Sequence, residues 1–384
     1  MRASKVLSTE KIPVSNVLSL GSEVEHGGNI YRLAEELNIP ESKVIDFSAS
    51  INPLGVSEKV KAGIKNELQN LHNYPDPDTK KLNEKIAQYH NIDSGIILCS
   101  NGSTELICLI PRALKPGTVL IPSPAFSEYE RACRTAGYEL RVISYELKEE
   151  NNFDINPDKF IKTMERIRKN NPAAVCMTYL CNPNNPTGRL LRRAGVRKIA
   201  DAAKKIKCYL VVDEAFIDFH PEESVIKDVQ NNPYLIVLRS MTKFYALTGL
   251  RIGYGVFSRS LIEELKKLKE PWTVNSLGQK AAIAALEDDE YADKTFRLIK
   301  SEKEFLQDSF KETGIKFYPS DANFYLLKIN NNSLTCLKLR KKGILVRDCS
   351  NFKGLDSSYI RIAVRSRREN KILIKALKHA SNEL

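Results

Sequence analysis

A lysine set three residues beyond an apolar run, in YLIVLRSMTK, is the residue of this chain best placed for covalent chemistry. Near the end of a buried strand an ammonium is poorly solvated and its pKa falls. The free amine of Lys243 then becomes available to form an imine with an aldehyde. Ser240, Thr242 and Arg251 beside it supply donors for a phosphate. Taken alone, the segment also reads as a surface lysine among capping hydroxyls. Asp213 lies 30 residues earlier (243 minus 213), at the end of the strand-like YLVVDEA, where a carboxylate is costly unless paired. A protonated pyridine nitrogen is one such partner, and a buried Arg or Lys is the other.

Asn185 stands in CNPNNPTG, whose prolines and asparagines enforce a turn and present side-chain amides that could donate to a ring oxygen. The loop SNGST, with Gly102, Ser103 and Thr104, precedes ELICLI and opens a helix. The free N–H groups and dipole of a helix start favour a phosphate, and simple N-capping is the rival reading.

These residues need elements to hold them. From about residue 95 to 257, apolar runs alternate with helical patterns: GIILCS, TVLIPS, AAVCMTYL, YLVVDEA, YLIVLRS and RIGYGVF. Near-continuous apolarity fits strands covered on both faces. The short link before RIGYGVF predicts that this strand is reversed, so an α/β, mostly parallel sheet with one antiparallel strand is expected. Ligands of such sheets bind beyond the carboxyl ends of the strands, and SNGST, SPAFSEY, CNPNNPTG, DEAF and SMTK stand at those ends. A helix over LIEELKKLKE stops at Pro271, which marks a junction. Residues 1–70 are expected to form an arm and part of a smaller α+β domain, residues 71–272 the large domain, and residues 273–384 the rest of the smaller one.

The 384 residues suffice for a self-stable core, and no apolar run is long enough to cross a bilayer. A net charge of +12 raises the question of nucleic acid, yet RLLRRAGVRKIADAAKKIK, residues 189–207, reads as the solvated face of an amphipathic helix. The eight cysteines show neither Cys-x-x-Cys pairs nor zinc spacing, so buried reduced thiols are expected and no metal. With no signal-peptide pattern at the N-terminus, the cytoplasm is the expected location.

NPNNPTG, DEAF and SMTK with GLR, in this order and spacing, resemble the fold type I aminotransferase-like enzymes, over nearly the whole chain. The resemblance implies pyridoxal 5′-phosphate as cofactor, held by Lys243 as a Schiff base, with Asp213 facing its ring nitrogen. It implies Asn185 on the ring oxygen, Phe126 stacked on the ring, and Gly102, Ser103, Thr104, Ser240, Thr242 and Arg251 around the phosphate. It also implies a homodimer in which Tyr74 of HNYPDPD reaches the partner's cofactor; otherwise Tyr74 is a turn aromatic.

Within that fold, HGGNIYRLAEELNIPESKVIDFSASINPLG and PWTVN are similar to the threonine-phosphate decarboxylases of cobalamin synthesis, with the histidinol-phosphate aminotransferases close by. The likeness implies a phosphorylated amino-acid substrate, threonine phosphate or serine phosphate. His26 and Gly27 would clamp the substrate phosphate, Asn52 would lie nearby, and Arg347 and Arg361 would take phosphate and carboxylate. Without the family, His26 is a surface residue of a glycine-rich turn and each arginine an ordinary ion-pair partner. One departure is Phe216, where many aminotransferases of this fold place a tyrosine that donates to the ring oxygen. A regulator that binds DNA through an added helix-turn-helix is the alternative of another class, and only 25 residues precede His26 to build one.

Overall fold

In the computed structural model, residues 9–11, 27–330 and 332–382 are described. The apolar runs form an eight-stranded sheet from β1 (Thr9–Lys11), β2 (Ile97–Asn101), β3 (Thr118–Ser123), β4 (Arg141–Glu146), β5 (Cys176–Cys181), β6 (Cys208–Asp213), β7 (Leu235–Ser240) and β8 (Ile252–Val256). Their order is β1-β4-β3-β5-β6-β7-β8-β2. Strands β2 to β7 run one way, and β8 is antiparallel to both β7 and β2, as expected of RIGYGVF. A second reversed strand, β1, pairs with β4 as the sheet's edge and adds to the single reversal expected.

Every residue of β3, β5 and β7 is buried, which is why they read as unbroken apolar runs. Alternate residues feed two cores. Leu210, Val212, Leu235 and Val237 face one layer, while Val211, Ile236 and Leu238 face the other with Leu106, Ile110 and Tyr129. The basic stretch after residue 189 becomes helix Arg193–Lys205, with Val196, Ile199, Ala200 and Ala203 buried and its charges on the other side.

The thiol expectation needs one correction: Cys176 and Cys208 are joined as a disulfide, and the other six cysteines are free. The two are register partners at the starts of adjacent parallel strands, with Cα atoms 4.6 Å apart, a closeness set by pairing and invisible in a separation of 32 residues.

The C-terminal region builds an antiparallel sheet, β9 (Lys316–Phe317), β10 (Phe324–Lys328), β11 (Arg347–Asp348) and β12 (Tyr359–Ala363), in the order β9-β10-β12-β11. Ile45–Asp46 pairs in parallel with Ile344–Leu345 beside it. Glu149, in the segment that leaves β4, accepts from Lys316 Nζ (2.6 Å), Tyr318 Oη (2.5 Å), Lys328 Nζ (2.8 Å) and Tyr359 Oη (2.8 Å). One carboxylate thus fastens the edge of the large sheet to the small one.

Candidate active site

Lys243 sits three residues past the end of β7, in a loop tied down from far along the chain. The Asn52 N–H donates to the Lys243 carbonyl at 3.0 Å, and Asn52 Nδ2 donates to the Phe244 carbonyl at 2.8 Å and to Thr295 Oγ1 at 2.7 Å. The side chain enters a cavity of about 330 Å³ at the carboxyl ends of the central strands. Burial, reinforced by the nearby Arg361 and Arg251 charges, lowers its pKa to about 8, so a free amine is accessible near neutral pH.

Asp213 ends β6 on the same face of the sheet and is 3% exposed. Tyr129 Oη donates to its Oδ2 at 2.7 Å and the Ala215 N–H to its Oδ1 at 3.1 Å. Burial raises the carboxyl's pKa while these two bonds and Lys243 oppose the rise. Among the described residues it has no ion pair, which removes the buried salt bridge as its explanation. A carboxylate lining the cavity with no ion pair of its own fits a cationic ligand atom.

At the other end lies a cradle for an anion. Gly102 is the N-cap of helix Ser103–Leu114 at φ +70° and offers no side-chain cap, so side-chain N-capping is not its role. A Cβ there would stand 2.7 Å from Arg251 Nη2, so glycine lets the guanidinium lie against the loop. Ser103, Thr104, Ser240, Thr242 and Arg251 all line the cavity, with Ser240 Oγ and Thr242 Oγ1 2.8 Å apart. Backbone N–H groups, hydroxyls and a guanidinium converging at a helix start suit a phosphate.

Arg347 and Arg361 enter the cavity from β11 and β12, where they are register partners. Arg361 Nη1 donates to Asn185 Oδ1 and Nη2 to the Ser48 carbonyl at 2.8 Å; its buried Nε has no protein partner. Burial lowers its pKa to about 10, still well above neutrality. Because Arg361 takes the Asn185 oxygen, the amide nitrogen is left to donate elsewhere. Gly27 lines the same cavity, and a Cβ on it would meet the Ser48 carbonyl oxygen at 2.4 Å.

The cavity therefore unites Gly27, Ser103, Thr104, Phe126, Asn185, Asp213, Ser240, Thr242, Lys243, Arg251, Arg347 and Arg361. Asn52 does not line it; its side chain fixes the loop of Lys243 instead. Tyr74 lies on the surface, 81% exposed, with its ring 4.9 Å from that of Trp272. His26 lies outside the described residues. Sequence reasoning missed Ser48, which accepts from the Gly28 N–H at 2.7 Å, and Tyr129, whose signal was the aromatic that closes SPAFSEY. An aromatic aldehyde that bears a phosphate and a basic ring nitrogen fits this set of groups.

Comparison with known proteins agrees. The family model "Aminotransferase class I and II" matches residues 42–377. A threonine-phosphate decarboxylase of Salmonella typhimurium is 37% identical over 92% of this chain and 96% of its own length. The crystal structure of an L-threonine-O-3-phosphate decarboxylase from Porphyromonas gingivalis superposes with a TM-score of 0.74 at 28% identity, covering 88% of this chain and 99% of that one. That of a histidinol-phosphate aminotransferase from Clostridium acetobutylicum gives 0.81 at 30% identity, covering 89% and 100%. With this sheet and this cavity in place, the chain belongs to the aminotransferase class I and II family.

Proposed function

We propose that this protein is a pyridoxal-phosphate-dependent carboxy-lyase that converts L-threonine O-3-phosphate, or L-serine O-phosphate, to the corresponding amino-alcohol phosphate for the nucleotide loop of cobalamin. The observation that carries the reading is one cavity holding a buried amine, a buried carboxylate that forms no ion pair among the described residues, and two buried arginines. Bound pyridoxal phosphate supplies an electron sink conjugated to the substrate's α-carbon.

The chain's own residues do the rest. Lys243 Nζ, with its lowered pKa, can hold or release a proton near neutral pH. Asp213 keeps a negative charge opposite the ring nitrogen, and Asn185 Nδ2, turned by Arg361, donates to the ring oxygen. Ser103, Thr104, Ser240, Thr242 and Arg251 hold the cofactor phosphate. Gly27, Arg347 and Arg361 hold the two anionic ends of the substrate. Fixing both ends sets the angle of the α-carbon, and orientation decides which of its bonds breaks.

Two features support decarboxylation over amino transfer. The first is the likeness to the decarboxylases. The second is Phe216, which lies beside Lys243 and has no hydroxyl to offer the ring oxygen. The assembly we propose is a cytoplasmic homodimer with shared sites, Tyr74 of one protomer reaching the cofactor phosphate of the other.

The test offers threonine phosphate, serine phosphate and histidinol phosphate side by side. Carbon dioxide and an amino-alcohol phosphate, formed without any oxo-acid, are expected. Amino transfer from histidinol phosphate to 2-oxoglutarate with no gas released would establish the aminotransferase instead.

A further inference from the structure

We propose that Tyr129 is a positioning residue for the ring-facing carboxylate: its hydroxyl holds Asp213 ionised and oriented, and so sets how tightly the site grips a protonated ring nitrogen. The inference rests on the reading that Asp213 faces that nitrogen.

Tyr129 is 1% exposed and its Oη donates to Asp213 Oδ2 at 2.7 Å, across 84 residues of sequence. The other oxygen of Asp213 is taken by the Ala215 N–H. Asp213 forms no ion pair among the described residues, so these two donors are its direct hydrogen-bond partners, with the charge of Lys243 acting from farther off. A donor to an ionised group in a dry site stabilises it more than a neutral hydrogen bond would.

The phenol ring cannot turn away. It stacks on Tyr179, with centroids 4.6 Å apart and planes 13° apart, and meets the edge of Phe126 at 5.7 Å. Phe126 lines the cavity, so one packed aromatic set carries both the wall facing the ligand and the hydroxyl facing the carboxylate. Burial and the Asp213 charge make the phenol a weaker acid than usual, so it keeps its proton and acts as a donor.

The test titrates the apoprotein by calorimetry with pyridoxal phosphate and with its 1-deaza analogue, in which the ring nitrogen is a C–H. Tighter binding of the true cofactor by the wild type checks the role of Asp213; equal binding would refute that reading and leave Tyr129 nothing to act on. Tyr129→Phe keeps the stack and removes one oxygen. It should weaken pyridoxal phosphate binding by roughly tenfold or more while changing the analogue's affinity by less than about threefold. Tyr179→Phe removes the neighbouring hydroxyl, which donates to the Ile107 carbonyl at 3.3 Å and not to Asp213, and should leave both affinities unchanged. Equal losses for the two cofactors in Tyr129→Phe would mean a merely structural role, and no loss for pyridoxal phosphate would mean no role; either overturns the proposal. If the phenylalanine variant does not fold, Tyr129→His, which restores a donor, is compared with wild type using the same pair. Losing the preference for the ring nitrogen altogether would then count against the proposal, and keeping part of it would support it.

Discussion

Phe216 stands 6.0 Å from Lys243 Nζ, measured to its ring centroid, and packs edge-on against Phe324 at 5.0 Å. Nothing on that side chain can donate a hydrogen bond, so in the function proposed above Asn185 is left as the donor to the ring oxygen. Restoring a hydroxyl at this position adds a second donor, stabilises the phenolate and loosens the proton on the lysine-linked cofactor. Phe216→Tyr should therefore lower the pH at which the enzyme-bound cofactor's visible band changes, by about one unit, the worth of one hydrogen bond to a charged group. A spectrophotometric pH titration of the holoenzyme measures it, and an unmoved midpoint would show that the new hydroxyl does not reach the ring.

Between elements, the Glu149 clasp is the clearest joint, since one carboxylate receives two ammonium groups and two phenols from β9, β10, β12 and the residue after β9. The Lys316 bond, followed by Lys328 and Tyr318, holds its carboxyl well below the ordinary glutamate value of 4.5. For a depressed carboxyl the stabilisation is complete above its unfolded value and is lost as pH falls toward the folded one. Glu149→Gln should cost about 1–2 kcal/mol at neutral pH, since the side chain is partly exposed and screened. The deficit in thermal unfolding should shrink below about pH 4.5, where the carboxyl of the unfolded chain begins to protonate while the folded one stays ionised.

The same scale explains what the sequence made legible. Strands β2, β3 and β5 to β8 announced themselves because both of their faces are buried or nearly so, and Lys243, Asp213, Asn185 and the Ser103 loop follow directly from their ends. Strand β4 has exposed charged residues at both ends and polar ones between its apolar ones, and β1 has three residues, so neither left an apolar run to notice. The tether from Asn52 to the Lys243 loop, the Cys176–Cys208 bond and the contact between Tyr129 and Asp213 are all products of register and packing. No local pattern encodes them.

At the scale of the molecule, a lone protomer leaves apolar side chains facing solvent in one stretch: Leu68 is 52% exposed, Leu71 54% and Tyr74 81%, with Trp272 beside Tyr74 at 47%. Large aromatics of this kind dominate interfaces when a partner covers them. If the protein is the homodimer proposed, Trp272→Glu should raise the dimer dissociation constant roughly thirtyfold or more, about 2 kcal/mol. Sedimentation equilibrium reads this directly, and an unaltered constant would place the contact elsewhere.

The pocket draws on distant parts of the chain at once: Asn52 pins the backbone at Lys243, and Arg361 bonds to both Ser48 and Asn185. A ribosome that has just finished the lysine's segment has yet to make the arginine that completes the enclosure. An enclosure of this kind is finished only when the C-terminal sheet has been made, so a chain truncated before Arg361 should fail to retain pyridoxal phosphate on gel filtration.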